Sequence, residues 1–451
     1  KNQIAGVSDM RINMPENANR IIETLEAAGY EAYIVGGCVR DSILGRAPGD
    51  WDITTSAKPE QIKALFRRTV DTGIQHGTVT VMFGKEGYEV TTYRIDGEYT
   101  DHRRPDKVLF TTNLKEDLKR RDFTINAMAY NHRNGIIDIF GGVEDLEKRV
   151  IRAVGVAEER FSEDALRILR AVRFSGQLDF SIDEDTQAAM KKLAGTLSKI
   201  SAERIRVELD KLFVSDHPEK LIMGITAVVL PEFDRMMEQE QNNPYHLYNV
   251  GVHSIYTMKA IDADSICRWA ALLHDVGKPD THTRDDKGID HFYGHNVVGT
   301  DIAKKVLRRM KWDNDTIKQV SKMVYWHDYG MGGIPSVVRF RKTLAEMGAG
   351  FFPLYDKIKR ADMAAQSDYR YDEKKAIVDA IEEMYRKIMA DGDCLTIKEL
   401  AINGRDLKEM GIAPGKQMGH ILEYLLEKVL EAPHINTREN LEKMVADKYL
   451  K

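Results

Sequence analysis

The chain has 451 residues, with 66 Lys+Arg against 71 Asp+Glu and a net charge of −5 at pH 7. That length exceeds what one hydrophobic core serves, so roughly two to four domains are expected. The acidic balance excludes a generally basic nucleic-acid binder while leaving room for local patches. Cys38, Cys267 and Cys394 stand far apart, without zinc-finger or CxxC spacing, which fits buried thiols in a reducing compartment. No apolar run reaches transmembrane length and the first residues lack a signal-peptide pattern, so a cytoplasmic protein with no membrane partner is expected.

In chain order, an amphipathic helix over residues 18–28 ends at Gly29. Strand-like runs follow at 31–35, 51–55, 78–83 and 88–94, with helix-like segments at 41–44 and 59–66 between the first three. This predicts a small α/β unit of roughly 120 residues. From about residue 157 strand signals nearly vanish, and helical periodicity continues to the end. It is broken at Pro231, Pro244, Pro279, Pro335, Pro353, Pro414 and Pro433. There is no fixed-period repeat and no low-complexity linker, so the expected architecture is an α/β head on a long helical body.

The stretch AYIVGGCVRDSILGRAPGDWDITT carries the most chemistry. If Asp50 and Asp52 lie on a strand, residues two apart share a face and both carboxylates meet one site. Paired oxygen donors suit Mg²⁺, and two such ions can clamp the attacking and leaving oxygens of nucleotidyl transfer. Gly36 and Gly37 let the backbone approach a phosphate at a helix N-terminus, and Arg40 adds a forked donor. Glu89, on the strand YEVTTYR, reads either as a third carboxylate beside the metals or as an exposed strand acid. In KRRDFTINAMA, Arg120, Arg121 and Asp122 stand where a helix is expected to begin. Arg forks suit triphosphate oxygens and Asp suits a ribose hydroxyl.

In EDALRILRAVRF (Glu163 to Phe174), helical spacing sets Asp164 beside Arg167, with Arg170 and Arg173 further along a slowly turning face. An ion-pair ladder on the surface is one reading. The other is a base reader: cytosine and adenine share an exocyclic amine where uracil and guanine show a carbonyl. A carboxylate accepting from that amine, beside an arginine donating to the ring nitrogen, would admit C and A and leave U and G unpaired.

GGCVRD with DWD, RRDFTINAMAY, DIFGGVEDL, EDALRILRAVRF and SAERIRVELDKL occur in the order seen in class II tRNA nucleotidyltransferases, and the chain resembles that CCA-adding family over most of its length. The resemblance implies an α+β head with a polymerase-β-like nucleotidyltransferase fold, a mixed sheet with helices, followed by an all-α neck, body and tail. The implied divisions are a head at 1–156, a neck at 157–230, a body at 231–385 and a tRNA-binding tail at 386–451. It implies addition of CCA to tRNA 3′ ends from CTP and ATP without a template. Asp50 and Asp52 would hold Mg²⁺, Gly37 and Arg40 would contact the triphosphate, and Arg121 with Asp122 would hold phosphate and ribose. Asp164 and Arg167 would read the base, supported by Arg170 and Arg173, with Glu203, Arg204 and Glu208 bracing the helix behind. Within the family, TGIQHGTVTV looks like the CCA-adding form, and the basic GRRF-type stretch of poly(A) polymerases is missing. TTYRIDGEYTDHRRPDKV resembles the flexible loop kept by full CCA-adding and A-adding enzymes. An A-adding enzyme working beside a CC-adding partner stays open.

A second ordered set lies in the helical body: His253, His274-Asp275 in ALLHDVGKP, His295 in YGH, His327 in WHD and Asp362 in RADMAA. Such a set can assemble a mixed nitrogen and oxygen site for divalent metals that activate water. It resembles the HD phosphohydrolase superfamily. By that resemblance one metal would use His253, His274, Asp275 and Asp362, and His295 with His327 would allow a second. The metal would be Mn, Ni, Fe, Co, Zn or Mg, and the implied activity is hydrolysis of 2′,3′-cyclic or terminal phosphates. A chain acting mainly as an HD phosphohydrolase with an RNA-binding head is the reading from a different class. Glycines 404, 411 and 415 with Pro414 are expected at turns between the last helices.

Overall fold

A computed structural model of the chain describes residues 10–96, 108–221 and 224–450. The chain divides into two compact units, Lys1–Asp234 and Arg235–Lys451. In the first, helix α1 (Glu16–Ala27) buries Ala18, Ile21, Ile22 and Leu25, a spacing that makes one apolar stripe, and packs on the first strand. Strands β1 (Ala32–Val35), β2 (Ile53–Thr55), β3 (Thr69–Gly73), β4 (Thr78–Phe83) and β5 (Glu86–Thr92) are joined by helices α2 (Gly37–Ile43) and α3 (Pro59–Leu65). A small pair, β6 (Arg94–Asp96) and β7 (Val108–Phe110), precedes α4 (Leu114–Lys119), β8 (Met128–Asn131), β9 (Gly135–Asp138) and α5 (Gly142–Lys148).

The seven-stranded sheet runs β3-β4-β5-β2-β1-β8-β9, with β2 and β5 parallel and the other neighbours antiparallel. It is the mixed sheet expected of the head. All four residues of β1 are buried because both faces are covered. On one face Tyr33 and Val35 join Tyr93, Leu114, Leu118 and Ala129 in a core cluster.

Two expectations need correction, and one strand goes unpredicted. Asp50 to Asp52 are not part of a strand: β2 starts at Ile53, and Asp50 and Asp52 lie in the extended approach to it. The Asp52 carbonyl still accepts from the Val35 amide at 3.0 Å, so the segment is fixed to the sheet edge. The run after Arg121 does not begin a helix. After a short turn at Thr124–Asn126 it becomes β8, buried throughout beside β1. Apolar Ala, Met and Tyr suit either state, and the free edge of β1 decides. Strand β3 escapes detection because it is an exposed edge with no apolar alternation.

Beyond the sheet, β10 (Val150–Ile151) pairs with β11 (Ser181–Ile182), and helices α6 (Ala157–Glu163), α7 (Leu166–Leu178), α8 (Glu184–Leu193) and α9 (Ala202–Phe213) follow. Helix α7 packs on α9, and α6 on α8. Helices α10 (Thr226–Val229) and α11 (Pro231–Glu238) come next.

The second unit is helical apart from β12 (Thr283–Arg284) and β13 (Asp290–His291). Helices α12 (Val250–Ala260), α13 (Ser265–Leu273), α14 (Lys278–Thr281), α15 (His295–Arg309), α16 (Asn314–Trp326), α17 (Val337–Met347) and α18 (Phe352–Ala364) lead to the long α19 (Tyr371–Asp391). Helices α13 and α18 contact each other, and each also contacts α12 and α16. The last helices α20 (Gly404–Glu409), α21 (Lys416–Glu431) and α22 (Arg438–Tyr449) share a core of Leu407, Ile421, Leu425, Val429, Leu441 and Val445. Gly411 and Gly415 take positive φ at turns, whereas Gly404 opens α20 against the Met418 side chain. Among the described residues no helix is long and apolar enough to cross a membrane.

Candidate active sites

In the head, Ile53 stands opposite Val90 in the parallel β2–β5 pair. One step back along that register sets Asp52 beside Glu89, on the face opposite the buried Ile53 and Val90. Asp50, Asp52 and Glu89 line one open cleft of about 520 Å³, with Thr80 and Tyr88. Packing around the cleft pushes the Asp52 carboxyl up; Arg121 opposes that shift and Asp50 adds to it. Glu89 is raised by burial and then by the charges of Asp52 and Asp50. Three acids around one cleft, two of them raised, form an under-compensated negative site. Hard oxygen donors in such a field fit Mg²⁺.

Gly36 turns the chain from β1 into α2 at φ 81° and ψ −127°, a conformation closed to side chains. A Cβ there would also meet Arg121 Nη1 at 3.0 Å. Gly37 brings the helix N-terminus to the same place. Arg121 lies behind this turn, 3.6 Å from buried Asp117, and its Nε has no hydrogen-bond partner. Asp117 also accepts from Arg120 at 2.8 Å and from Thr54 Oγ1 at 3.1 Å, so it orients both guanidiniums. Arg40 is oriented through three of its five N–H groups: Nε and Nη2 donate to Asp41 at 2.8 and 2.9 Å, and Nη1 donates to Asn126 Oδ1 at 2.7 Å. Asn126 passes the chain on by donating to Asp122 Oδ1 at 3.1 Å.

Asp122 is buried and well below the usual carboxylate range: burial works against its charge, but Arg170, Asn126 and Arg167 outweigh it. Arg170 Nε donates to Asp122 Oδ2 at 2.8 Å. The guanidiniums of Arg40, Arg170 and Arg173 all pack over the Phe174 ring, at 5.0, 5.4 and 4.2 Å from its centre. Arg173 Nε also lies 3.0 Å from Glu208 Oε2. Burial brings Arg173 down to about 10.

The expected Asp164–Arg167 helical pair does not form. Asp164 sits in the break between α6 and α7 with extended backbone, where its Oδ1 accepts from the Leu166 amide at 3.0 Å. Its Oδ2 accepts from Arg204 at 3.0 Å. Arg167 instead donates to Glu163 at 2.7 Å and to the Arg120 carbonyl at 2.7 Å. Glu163, Asp164 and Arg167 are thus gathered at one helix junction, braced by Arg204 as expected.

The second unit assembles the histidine–aspartate set. Asp275 Oδ2 lies 3.2 Å from His274 Nε2 and 3.6 Å from His253 Nε2. Its Oδ1 lies 3.4 Å from His295 Nε2 and 3.5 Å from His327 Nε2. Asp362 Oδ1 is 3.0 Å from His253 Nε2 and 3.7 Å from His274 Nε2. Every Nδ1 faces a backbone carbonyl: His274 to Ala271 at 2.8 Å, His295 to Phe292 at 2.8 Å, His327 to Val324 at 2.7 Å and His253 to Ala365 at 3.3 Å. Donation from Nδ1 leaves the four Nε2 lone pairs pointing inward. Those of His253 and His274 are 3.2 Å apart and those of His295 and His327 3.1 Å apart, distances that repel unless a proton or cation lies between. Burial opposes a charge on His274, yet Asp275 and Asp362 push it up to about 10. The same field favours a divalent cation, and the mixed donors fit Mn, Fe, Co, Ni or Zn.

Sequence reasoning missed three neighbours here. Asp328, exposed beside His327, has a ligand atom within 4.8 Å of those of His295 and His327. Buried Lys278 reaches Asp275 Oδ2 at 2.7 Å and donates to Gln241 at 2.7 Å. His246 meets His253 edge-on at 5.0 Å, and burial lowers it to about 2. HDVGK could have signalled Lys278; nothing local marks His246. A cleft of about 520 Å³ opens over the set, with Tyr293 and Tyr369 on its lining.

Residues 32–152 match the Poly A polymerase head domain, residues 179–237 the "Probable RNA and SrmB- binding site of polymerase A", and residues 295–445 tRNA nucleotidyltransferase domain 2. The CCA-adding enzyme of Lactiplantibacillus plantarum is 38% identical over 437 residues, covering 95% of this chain and 96% of its own. That of Leuconostoc mesenteroides is also 38% identical over 437 residues, covering 96% of each. The chain belongs to the CCA-adding enzyme family. Among solved structures, the Bacillus stearothermophilus CCA-adding enzyme in complex with CTP is similar at a TM-score of 0.68 and 28% identity, covering 96% of this chain and 98% of that one. Residues 97–107, within the loop that resembles the flexible loop of CCA-adding enzymes, lie outside the described residues.

In this CCA-adding family member the Asp122–Arg170 brace has a measurable consequence. Arg170→Ala leaves a buried carboxylate without its cation and is expected to cost about 2–3 kcal/mol of unfolding free energy. Urea melts at neutral pH would measure it. An unchanged midpoint would mean that Asn126 and the Phe123 amide suffice for Asp122.

Proposed function

We propose that this chain adds C, C and A to tRNA 3′ ends from CTP and ATP, releasing pyrophosphate. The observation that carries the reading is the cleft of Asp50, Asp52 and Glu89 beside the Gly36–Gly37 turn, in a chain of this family. The primer 3′-hydroxyl attacks the α-phosphate, a new P–O bond forms and the bond to the β-phosphate oxygen breaks. Asp50 and Asp52, with Glu89 beside them, would hold Mg²⁺. When bound, two such ions neutralise the charge that develops on the attacking and leaving oxygens. The Gly36–Gly37 turn and Arg40 contact the triphosphate, and Arg121 with Asp122, the latter held by Asn126 and Arg170, holds phosphate and ribose. Asp164 accepts from the exocyclic amine of C or A through its remaining lone pairs, and Arg167 donates to the ring, each fixed by Arg204 and Glu163. The corresponding division is a head at 1–156, a neck at 157–230, a body at 231–385 and a tRNA-binding tail at 386–451.

The second site would hydrolyse 2′,3′-cyclic or terminal phosphates, with His253, His274, Asp275 and Asp362 holding one metal and His295 with His327 a second. A divalent cation bound there lowers the pKa of a water molecule and polarises the phosphoryl oxygen. Removing metal with a chelator should end this hydrolysis; persistence would reject the assigned ligands.

The deciding experiment incubates the protein with Mg²⁺ and tRNA lacking its CCA end. Two residues from CTP alone and complete CCA from CTP plus ATP are expected. Extension by ATP only, on tRNA already ending in CC, would make it an A-adding enzyme, and long A tails would make it a poly(A) polymerase.

A further inference from the structure

Helices α15 and α16 run antiparallel, since His295 at the start of one meets His327 just past the end of the other. Between them lies a groove of about 450 Å³ lined by Thr300, Lys304 and Arg308 from α15 and by Asn314, Ile317, Lys318, Ser321, Lys322 and Tyr325 from α16. Thr300, Lys304 and Arg308 follow at four-residue steps, as do Asn314, Lys318 and Lys322, so two rows of side chains face each other along the groove. Each row extends for about 12 Å at 1.5 Å per residue. The lining holds four cations and no acid.

These cations are poorly neutralised. Among the described residues Lys304 pairs only with Asp301, at 3.7 Å, and Lys322 packs its ammonium over the Phe351 ring at 4.5 Å. Lys322 is lowered by burial and by the charge of Lys318. Ser321, 3% exposed, has a hydroxyl without a hydrogen-bond partner at the groove wall. A buried hydroxyl left unpaired is costly, and an anionic oxygen in the groove would pair it. Exposed Tyr325 stands at the end nearer His295 and His327, where a base could stack.

We infer that the α15–α16 groove binds the phosphate backbone of RNA. Two facing cationic rows longer than one phosphate, with an exposed aromatic at one end, suit a strand better than a single small anion. In a chain of net charge −5, a cation-only groove is a local feature, not the general character of the surface. The inference does not depend on nucleotide addition.

The test compares the full chain with the Arg308→Ala/Lys318→Ala double variant; both side chains are exposed, so the fold should persist. Binding of tRNA lacking CCA, and of an unrelated hairpin RNA of equal length, is measured from about 50 to 300 mM salt. Loss of two phosphate contacts should lower the slope of log affinity against log salt by about 1.5 and weaken binding roughly tenfold. Both RNAs should change alike, because phosphate contacts carry no sequence information. CTP binding should not change. An unchanged slope for both RNAs overturns the inference, including the case in which the variant loses only inorganic phosphate.

Discussion

Asp52→Ala is expected to reduce incorporation of CMP and AMP alike by a factor on the order of 10³, since a metal-supported charge term of several kcal/mol is removed from a step common to both. The parallel register makes Asp52 the neighbour of Glu89, and Asp50 lines the same cleft. The unfolding midpoint at neutral pH should hold or rise. A carboxyl whose folded pKa lies above its unfolded one disfavours the folded state at neutral pH, and that penalty disappears below the unfolded pKa. Asp52 and Glu89 both have raised values. Rapid-quench extension with labelled CTP, alongside hydrolysis of a cyclic nucleotide, measures both sites. Comparable loss of both activities with the fold intact would contradict two independent centres.

Asp275→Asn should do the converse, abolishing hydrolysis while addition continues. It is the one carboxylate of the set whose oxygens face both histidine pairs, Oδ2 toward His253 and His274 and Oδ1 toward His295 and His327. An amide keeps the shape but removes the charge from among four inward lone pairs. Elemental analysis should therefore find the metal content of both positions reduced, and hydrolysis should fall on the order of 10³. His327→Ala should lose the second position alone, because His253, His274 and Asp362 remain. If Asp275→Asn retains full metal and a normal rate, the chemistry belongs elsewhere.

Much of this was legible in the residues themselves. The GGxxR and DWD spacing, an α/β head, the helical body and the six members of the histidine–aspartate set were marked by residue type and order, while the mixed sheet was implied by the family resemblance. What spacing misjudged was pairing. EDALR has the spacing of a helical Asp–Arg pair, yet the chain breaks at Asp164 and passes Arg167 to Glu163 and Asp164 to Arg204. FTINAMAY suits a helix as well as a strand, and only the open edge of β1 settles it. Arg40 was marked as a fork for phosphate, but spacing did not show that Asp41 and Asn126, the latter 86 residues away, orient it.

The sequence by itself determined which chemical groups are present and in what order they follow, because residue identity and ligand chemistry are local properties. Tertiary structure alone decided which groups meet. Arg40 against Asn126, Arg170 against Asp122, Arg204 against Asp164 and His253 against Asp362 are contacts between distant segments. Such contacts are selected by burial and charge pairing over the whole fold, and no local stretch of residues encodes them.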